Sequence, residues 1–208
     1  YKKIFNEYGS KNTVITNKNI KHILEKDNIN YFRINKTSSM VETLIRSKKL
    51  LSMKKNFFLT SCDCLGNFDK FSLRKLITTT YPDVVFFGFE TSYMQSKMEN
   101  SHSYLITKNK SVINIEVKGK PTFDKLGHAG FFWIKNGKIF SELNHFKKSK
   151  YYKKLQREPI IDDYFRFLLI NKHIKASFIK LSNYLHLGSE NEFLEFNYWN
   201  NYFKDYDK

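Results

Sequence analysis

The sequence predicts an α/β fold in which a mostly parallel, doubly wound sheet carries a small antiparallel addition. Apolar stretches of strand length, such as 83–89, alternate with helix-like stretches, such as 40–51, and helices between strands typically connect parallel neighbours. Two β-like stretches at 103–106 and 112–117 indicate the antiparallel addition. The 208 residues, of which 41% are hydrophobic and 17% aromatic, are enough for a single domain, 1–208, with a sizeable core.

The first half of the chain alternates between short apolar or β-branched stretches and longer periodic stretches with capping residues. The predicted strands are 12–16, 31–34, 57–61 and 83–89. The predicted helices are 19–25, 40–51 and 70–78. The helix at 40–51 has a defined start, because N-cap candidates stand at 37–39 and Glu42 lies in its first turn.

The second half continues this alternation and contains two turn signals. Lys-Asn-Lys-Ser at 108–111 predicts a hairpin turn, and Asn136-Gly137 predicts a turn between two short strands. The strands beside the second turn are 130–134 and 138–140. The remaining predictions are a helix at 159–171, a strand at 175–181 and an amphipathic helix at 190–202.

Charge and composition restrict the partners. The net charge of +16 favours anionic ligands such as nucleotides and phosphates. The aromatic residues mostly stand in apolar runs such as 84–87, which is typical of a core and not of a stacking platform, so we do not expect nucleic-acid binding. No run of 18 uncharged apolar residues predicts a membrane span. Cys62 and Cys64 are expected to be buried, reduced thiols in a cytoplasmic protein.

Asp63 is the first candidate for chemistry, because the apolar stretch 57–61 runs into an acidic turn that contains Gly66. Open α/β sheets bind their ligands beyond the carboxyl ends of their strands. Mg²⁺ takes few protein carboxylates and leaves room for substrate phosphates. Asp63 therefore either holds Mg²⁺ against phosphate oxygens or caps the turn that follows the strand.

Six segments, in this order, resemble segments of the sugar-nucleotidyltransferase-like family. The nearest likeness is to its branch in capsule and lipooligosaccharide gene clusters, which includes phosphocholine cytidylyltransferases. The likeness covers about the last 170 residues. The segments are 37–43 (TSSMVET), 60–63 (TSCD), 116–121 (EVKGKP), 128–133 (HAGFFW), 157–163 (REPIIDD) and 184–190 (YLHLGSE).

The resemblance implies a GT-A-like fold and a role for each matching residue. Asp63 is the metal-binding and catalytic carboxylate, and Lys118 or Lys120 holds the phosphate of the second substrate. His186 stands where the family has its second metal-binding Asp, unless Asp162 or Asp163 replaces that ligand. The remaining substrate-binding candidates are Thr37, Ser38, Ser39 and Glu42 beside the nucleotide base, and His128, Gly130 and Glu158 around the acceptor.

The implied reaction transfers NMP from an NTP, with CTP preferred, to a phosphorylated small-molecule acceptor for surface polysaccharide synthesis, with Mg²⁺ as cofactor. The alternatives are a GT-A-type glycosyltransferase and a non-catalytic binding or assembly subunit. The family's Gly-rich phosphate loop is missing, and the 8 glycines are not clustered. We therefore expect the chain to be N-terminally incomplete and inactive alone. It would self-associate as a homo-oligomer, or occur with about 50 to 60 further N-terminal residues, the size of a strand–loop–helix–strand unit.

Overall fold

The structure, a computed structural model, describes residues 13–17, 30–61, 63–91, 102–122 and 125–206. The chain divides into two compact units. Unit 1 comprises Tyr1–Lys54 and Gly137–Tyr164, and unit 2 comprises Lys55–Asn136 and Phe165–Lys208. The single domain over 1–208 stays a prediction. The predicted helix at 19–25 and the residue Cys62 lie outside the described residues.

Strands and helices alternate along the described chain, which confirms the α/β class. The strands are β1 (Thr13–Asn17), β2 (Asn30–Ile34), β3 (Lys55–Thr60), β4 (Cys64–Asn67), β5 (Val84–Glu90), β6 (Tyr104–Lys108), β7 (Ser111–Glu116), β8 (Leu126–Asn136), β9 (Ala176–Lys180) and β10 (Asn183–His186). The helices are α1 (Met40–Ser52), α2 (Lys70–Thr80), α3 (Leu143–Lys148), α4 (Lys150–Lys153), α5 (Ile161–Ile170) and α6 (Glu190–Tyr206), with a 3-10 helix at Gly137–Glu142. None of the helices that the structure describes combines the length and hydrophobicity of a membrane span.

Unit 2 contains a six-stranded sheet with the order β3-β8-β5-β9-β7-β6. Only β5 and β9 pair in parallel within it, and the other neighbouring strands are antiparallel. In unit 1, β1 and β2 pair in parallel. The expectation of a mostly parallel sheet is therefore wrong for the described pairings. The long strand β8 lies between β3 and β5 and is antiparallel to both. Neighbouring strands that are joined by helical crossovers would instead be parallel.

Strand β5 is the centre of the unit 2 core. Its residues from Val84 to Phe89 are all buried, which explains why the sequence shows a continuous apolar run and not an alternating one. Successive side chains of a strand point to opposite faces. Phe86 packs against Phe132 and Phe165, with ring centroids 5.4 Å away in both cases. Phe87 instead packs against Phe68, with centroids 4.7 Å apart.

The turn at Gly137 leads into a 3-10 helix, so the predicted strand at 138–140 is wrong. A Cβ atom at Gly137 would lie 1.7 Å from the carbonyl oxygen of Leu51. The Gly137 N–H also donates to the carbonyl of Lys54 at 2.9 Å. This close approach of the backbone fixes the chain against the end of α1, and Phe140 and Leu143 then become fully buried in unit 1.

A buried ion pair in unit 1 fixes the start of α5. Asp163 is fully buried, and its two oxygens accept from Arg157 at 2.7 and 2.8 Å. The same oxygens accept from the Tyr151 hydroxyl at 3.0 Å and from the Ile160 N–H at 3.0 Å. A carboxylate offers about four lone-pair positions, so this network uses all of them. The helix consequently begins at Ile161, two residues later than predicted from Pro159.

We expect Asp163→Asn to lower the free energy of unfolding by about 2–3 kcal/mol. Breaking a fully buried ion pair costs about 3–5 kcal/mol, and the loss is smaller here because 34% of the Arg157 side chain is exposed. Urea titration followed by circular dichroism measures it. The control Glu142→Gln breaks an exposed pair with His145 and should change stability by less than about 0.5 kcal/mol. Equal effects of the two variants would contradict the prediction.

Candidate active site

Asp63 lies in the turn that leads into β4 in unit 2. The turn is held from both sides, because the Ser61 N–H donates to the Gly130 carbonyl at 3.1 Å and the Leu187 N–H donates to the Asp63 carbonyl at 2.7 Å. The Asp63 side chain keeps 40% of its surface exposed. Its carboxylate is thus fixed by the backbone around it and still accessible to a ligand.

The pairing of β4 with β10 brings His186 to Asp63. The two strands are antiparallel, and their register sets Cys64 opposite His186. As a result, Asp63 Oδ2 lies 3.7 Å from His186 Nε2. The resemblance aligned His186 with a second metal-binding position, and the structure brings these two residues together across 123 positions of sequence.

Each member of this pair is held by a partner on its other side. The Cys64 thiol donates to Asp63 Oδ1 at 3.4 Å. His186 Nδ1 lies 3.0 and 3.1 Å from the two oxygens of Glu192. Because a carboxylate can only accept, Nδ1 carries a proton and donates to Glu192. These contacts leave Asp63 Oδ2 and His186 Nε2 facing each other.

Glu192 is itself fixed by a capping box at the start of α6. Ser189 donates to Glu192 Oε2 through its N–H at 3.0 Å and through its hydroxyl at 2.8 Å. The Glu192 N–H in turn donates to the Ser189 hydroxyl at 3.3 Å. The helix cap therefore positions the carboxylate that positions His186. Glu192 is not among the residues predicted for the site, although Ser-x-x-Glu at 189–192 is a capping-box signal in the sequence.

Local contacts set the protonation of the acidic groups. Burial opposes ionisation of Asp63, but hydrogen bonds from Ser61 and Cys64 and from its own backbone outweigh burial and lower its pKa below the ordinary value. Burial likewise opposes ionisation of Glu192, but hydrogen bonds from His186 and Ser189 lower its pKa. Burial raises the pKa of Cys64 to about 11. Both carboxylates are therefore ionised at neutral pH, and Cys64 is a protonated thiol.

His102 and Lys118 lie on the same side of unit 2 as this pair. The His102 ring lies 5.2 Å from the His186 ring, between centroids. Burial, together with the electrostatic effect of His186 and Lys118, lowers the pKa of His102 to about 4. Lys118 has a φ of 51°, a backbone conformation that lysine rarely adopts. Its N–H donates to the Ser103 hydroxyl at 3.4 Å.

The other predicted residues of unit 2 differ in their location. Gly130 has a φ of 68°, and a Cβ there would lie 2.8 Å from the Ser61 hydroxyl, so this glycine borders the Asp63 turn. His128 is buried in the core, with its ring 4.6 Å from Phe132. Lys120 is exposed, and its carbonyl accepts from Lys125 at 3.3 Å. The substrate-binding roles of these residues stay predictions.

The predicted residues of unit 1 gather at the start of α1. Ser39 caps the helix by accepting from the Glu42 N–H at 3.1 Å, and Ser38 donates to Glu42 through its N–H at 2.7 Å. The Thr37 and Thr43 hydroxyls form a hydrogen bond at 2.7 Å. The Met40 N–H donates to Glu158 at 3.2 Å. The expected nucleotide-binding segment is therefore an ordered helix N-terminus that already contacts two carboxylates, those of Glu42 and Glu158.

Asp162 and Asp163 do not have the environment of a replacement metal ligand. Asp163 accepts four hydrogen bonds from Arg157, Tyr151 and Ile160, as described above. Asp162 is buried at the same helix start, with 6% of its surface exposed. Among the described residues, the group that could hold a metal ion is Asp63, Cys64 and His186, whose candidate ligand atoms all lie within 4.8 Å of one another.

This donor set fits a divalent cation at Asp63 but not a two-carboxylate Mg²⁺ site. The ionised, half-exposed Asp63 is a suitable oxygen ligand. The neighbouring donor is an imidazole nitrogen, which suits transition metals better than Mg²⁺. The Cys64 thiol keeps its proton and donates a hydrogen bond to Asp63 Oδ1, whereas a metal ligand would be the thiolate.

Three solved structures show the fold of this chain. The nucleoside-diphosphate-sugar pyrophosphorylase from Vibrio cholerae RC9 matches 93% of this chain and 83% of its own, with a TM-score of 0.68 at 15% identity. The inositol-1-phosphate CTP transferase from T. maritima matches 86% of this chain and 71% of its own, with a TM-score of 0.61 at 10% identity. A protein assigned as a glucose-1-phosphate thymidylyltransferase from Bacillus anthracis matches 81% of this chain and 64% of its own, with a TM-score of 0.59 at 12% identity.

The chain has a nucleotidyltransferase-like fold. This confirms the fold that the six segments implied, and at these identities it shows the fold alone. The chain spans just under two thirds of the length of the Bacillus anthracis protein. No protein-family model matches the sequence, and no curated protein matches it.

We expect Gly188→Ala to separate His186 from Asp63 without unfolding the chain. A Cβ at Gly188 would lie 2.5 Å from His186 Cε1 and 3.1 Å from Asp63 Oδ2, so the imidazole must move. The ¹H–¹⁵N imidazole spectrum should lose the signal of the His186 Nδ1–H, assigned by its absence in His186→Gln. The melting temperature should fall by only about 4 °C or less, as for a change near 1 kcal/mol or below. An unchanged imidazole signal would contradict the prediction.

Proposed function

We propose that this protein is a nucleotidyltransferase that transfers NMP from an NTP to a phosphorylated small molecule. The observation that carries the proposal is the accessible, ionised Asp63 facing His186, within a chain that has a nucleotidyltransferase-like fold. The net charge of +16 suits two anionic substrates. As sequence-based expectations, CTP is the preferred nucleotide and the product is a precursor for surface polysaccharide.

In the proposed reaction, an oxygen of the acceptor phosphate attacks the α-phosphorus of the NTP. The bond from the α-phosphorus to the bridging oxygen breaks, and pyrophosphate leaves with the electron pair. The protein contributes mainly by positioning these groups and neutralising their charge. A divalent cation held by Asp63, for which the sequence analysis expects Mg²⁺, would supply charge neutralisation at the phosphate oxygens.

Lys118 is the proposed partner of the acceptor phosphate. Its charge acts on His102 together with the charges of His186, Glu192 and Asp63, which supports a location close to the candidate site. A lysine ammonium can hold a phosphate as a point charge. In unit 1, the proposed segment for binding the nucleotide base is the capped start of α1, where Ser39 and Glu42 are already ordered.

The test of this function is incubation of the chain with each NTP, a divalent cation and a panel of phosphorylated small molecules. Release of pyrophosphate that depends on the acceptor supports nucleotidyl transfer. Hydrolysis of a nucleotide sugar without pyrophosphate release would instead indicate the glycosyltransferase alternative. Silence in both assays, also with any further N-terminal residues of the gene product present, would indicate a non-catalytic subunit.

We expect Asp63→Asn to reduce pyrophosphate release by about 100-fold or more, because the metal-held charge contributes several kcal/mol to such reactions. The substitution keeps the side chain's shape, so the melting temperature should change little. The control Asp69→Asn removes the same charge at the cap of α2, where it accepts from Phe71 and Ser72, and should leave activity intact. Full activity of folded Asp63→Asn would show that Asp63 only supports the turn.

We expect Lys118→Ala to raise the KM for the acceptor by about 10-fold, the loss of one charge-assisted contact of about 1.5 kcal/mol, while the KM for the NTP stays constant. The matched control is Lys110→Ala. Lys110 has a φ of 64° in the turn between β6 and β7, so the control removes the same charge from a similar backbone conformation. An equal rise of the KM for the acceptor and the KM for the NTP in Lys118→Ala would contradict a specific acceptor role.

A further inference from the structure

Asp63 Oδ2 and His186 Nε2 are the two atoms through which these residues come within ion-pair distance. Cys64 occupies Asp63 Oδ1 at 3.4 Å, and Glu192 occupies His186 Nδ1 at 3.0 Å. With its proton on Nδ1, a neutral imidazole carries its lone pair on Nε2. That nitrogen lies 3.7 Å from Asp63 Oδ2, which is too far for a hydrogen bond.

A cation between the two atoms would use both lone pairs. Metal ions such as Zn²⁺ bind imidazole nitrogen and carboxylate oxygen at about 2.0–2.2 Å, so two ligands of one ion lie about 3–4 Å apart. The observed 3.7 Å falls within this range. Mg²⁺ prefers an all-oxygen set, whereas imidazole nitrogen suits Zn²⁺ and similar transition ions.

Glu192 completes the pattern of a metal-binding histidine. Histidine ligands commonly donate their second ring N–H to a carboxylate, which fixes the ring and increases its basicity. Here the carboxylate is held by the capping box with Ser189. The imidazole is therefore oriented before any ion arrives. Gly188 leaves the space beside it, because a Cβ there would lie 2.7 Å from Nε2.

We propose that Asp63 Oδ2 and His186 Nε2 bind a divalent transition ion of the Zn²⁺ type, and that Glu192 is the positioning residue of this site. The inference rests on the proposed function only for the role of the ion, which would be the cation of the nucleotidyl transfer. Binding of the ion itself is independent of turnover. The proposed ion replaces Mg²⁺, which the resemblance implied, because residue 186 is a histidine and not an aspartate.

The experiment measures metal binding to the full chain without nucleotide. Protein stripped with a chelator is titrated with Zn²⁺ and Mg²⁺ by calorimetry, and with Co²⁺ by visible absorption, which reports on the coordinating atoms. We expect Zn²⁺ to bind about 100-fold more tightly than Mg²⁺, following the preference of nitrogen ligands for transition ions. His186→Asp should reduce this ratio of dissociation constants by about 10-fold or more, because it restores a second carboxylate.

Glu192→Gln tests the positioning role. It removes the carboxylate from His186 Nδ1 but leaves both proposed ligands in place, and loss of such a partner typically weakens metal binding by about 10–100-fold. Glu195→Gln is the matched control, since Glu195 is an exposed residue of the same helix. His145→Ala is a second control, because it removes an exposed histidine that also contacts a glutamate, at 3.1 Å. Both controls should bind Zn²⁺ as the wild type does.

Three results would overturn the proposal: no Zn²⁺ binding by the folded wild type, a metal preference that His186→Asp leaves unchanged, or an equal loss of binding in His145→Ala. His186 would then be only an ion-pair partner of Asp63. If His186→Asp does not fold, as judged by circular dichroism, Glu192→Gln carries the decision. Zn²⁺ binding without pyrophosphate release would refute the proposed function alone, and Mg²⁺-dependent release without Zn²⁺ binding would refute the proposed ion alone.

Discussion

The short pairing of β4 with β10 is the interaction on which the candidate site depends. It sets Cys64 opposite His186, and this register brings Asp63 to the imidazole. A shift by one residue would turn every side chain of β10 to the opposite face and remove His186 from the site. Two strands of four residues are not stable alone. They are held because Leu187 donates to the Asp63 carbonyl and Ser182 donates to the Asn67 carbonyl, one at each end of the pair.

The chemistry of the site follows from two hydrogen bonds outside the ligand pair. Asp63 Oδ2 and His186 Nε2 lie within ion-pair distance, at 3.7 Å. Glu192 fixes the ring by accepting from Nδ1, and Cys64 similarly occupies one oxygen of Asp63. Such outer contacts restrict the number of states that a site can adopt before a ligand binds, which lowers the entropic cost of binding. The capping box of α6 thus connects the stability of a surface helix to the geometry of the candidate metal site.

The elements that the sequence predicted well are those with strong local signals. Strand β5 was evident from its continuous apolar run, and α1 was evident from its N-cap at Ser39. Among the elements that were missed, β4 and β10 are short and mostly half-buried, so no local periodicity marks them and their stability depends on tertiary contacts. Gly137 correctly indicated a turn, but a 3-10 helix follows it where a strand was predicted. Its contact with Leu51 is tertiary and cannot be seen in a local pattern.

The candidate site shows the same division between local and tertiary information. Asp63 could be predicted because a carboxylate that follows an apolar strand is a local feature, and His186 could be predicted through the resemblance. The capping-box pattern at 189–192 marks Glu192 as a helix-start residue, but its contact with His186 is tertiary and is not visible in that pattern. The imidazole at position 186 is the reason that the proposed cation differs from Mg²⁺. The nature of a metal site is decided by the complete donor set and its outer partners, and residues 63 and 192 come together only through the pairing of β4 with β10.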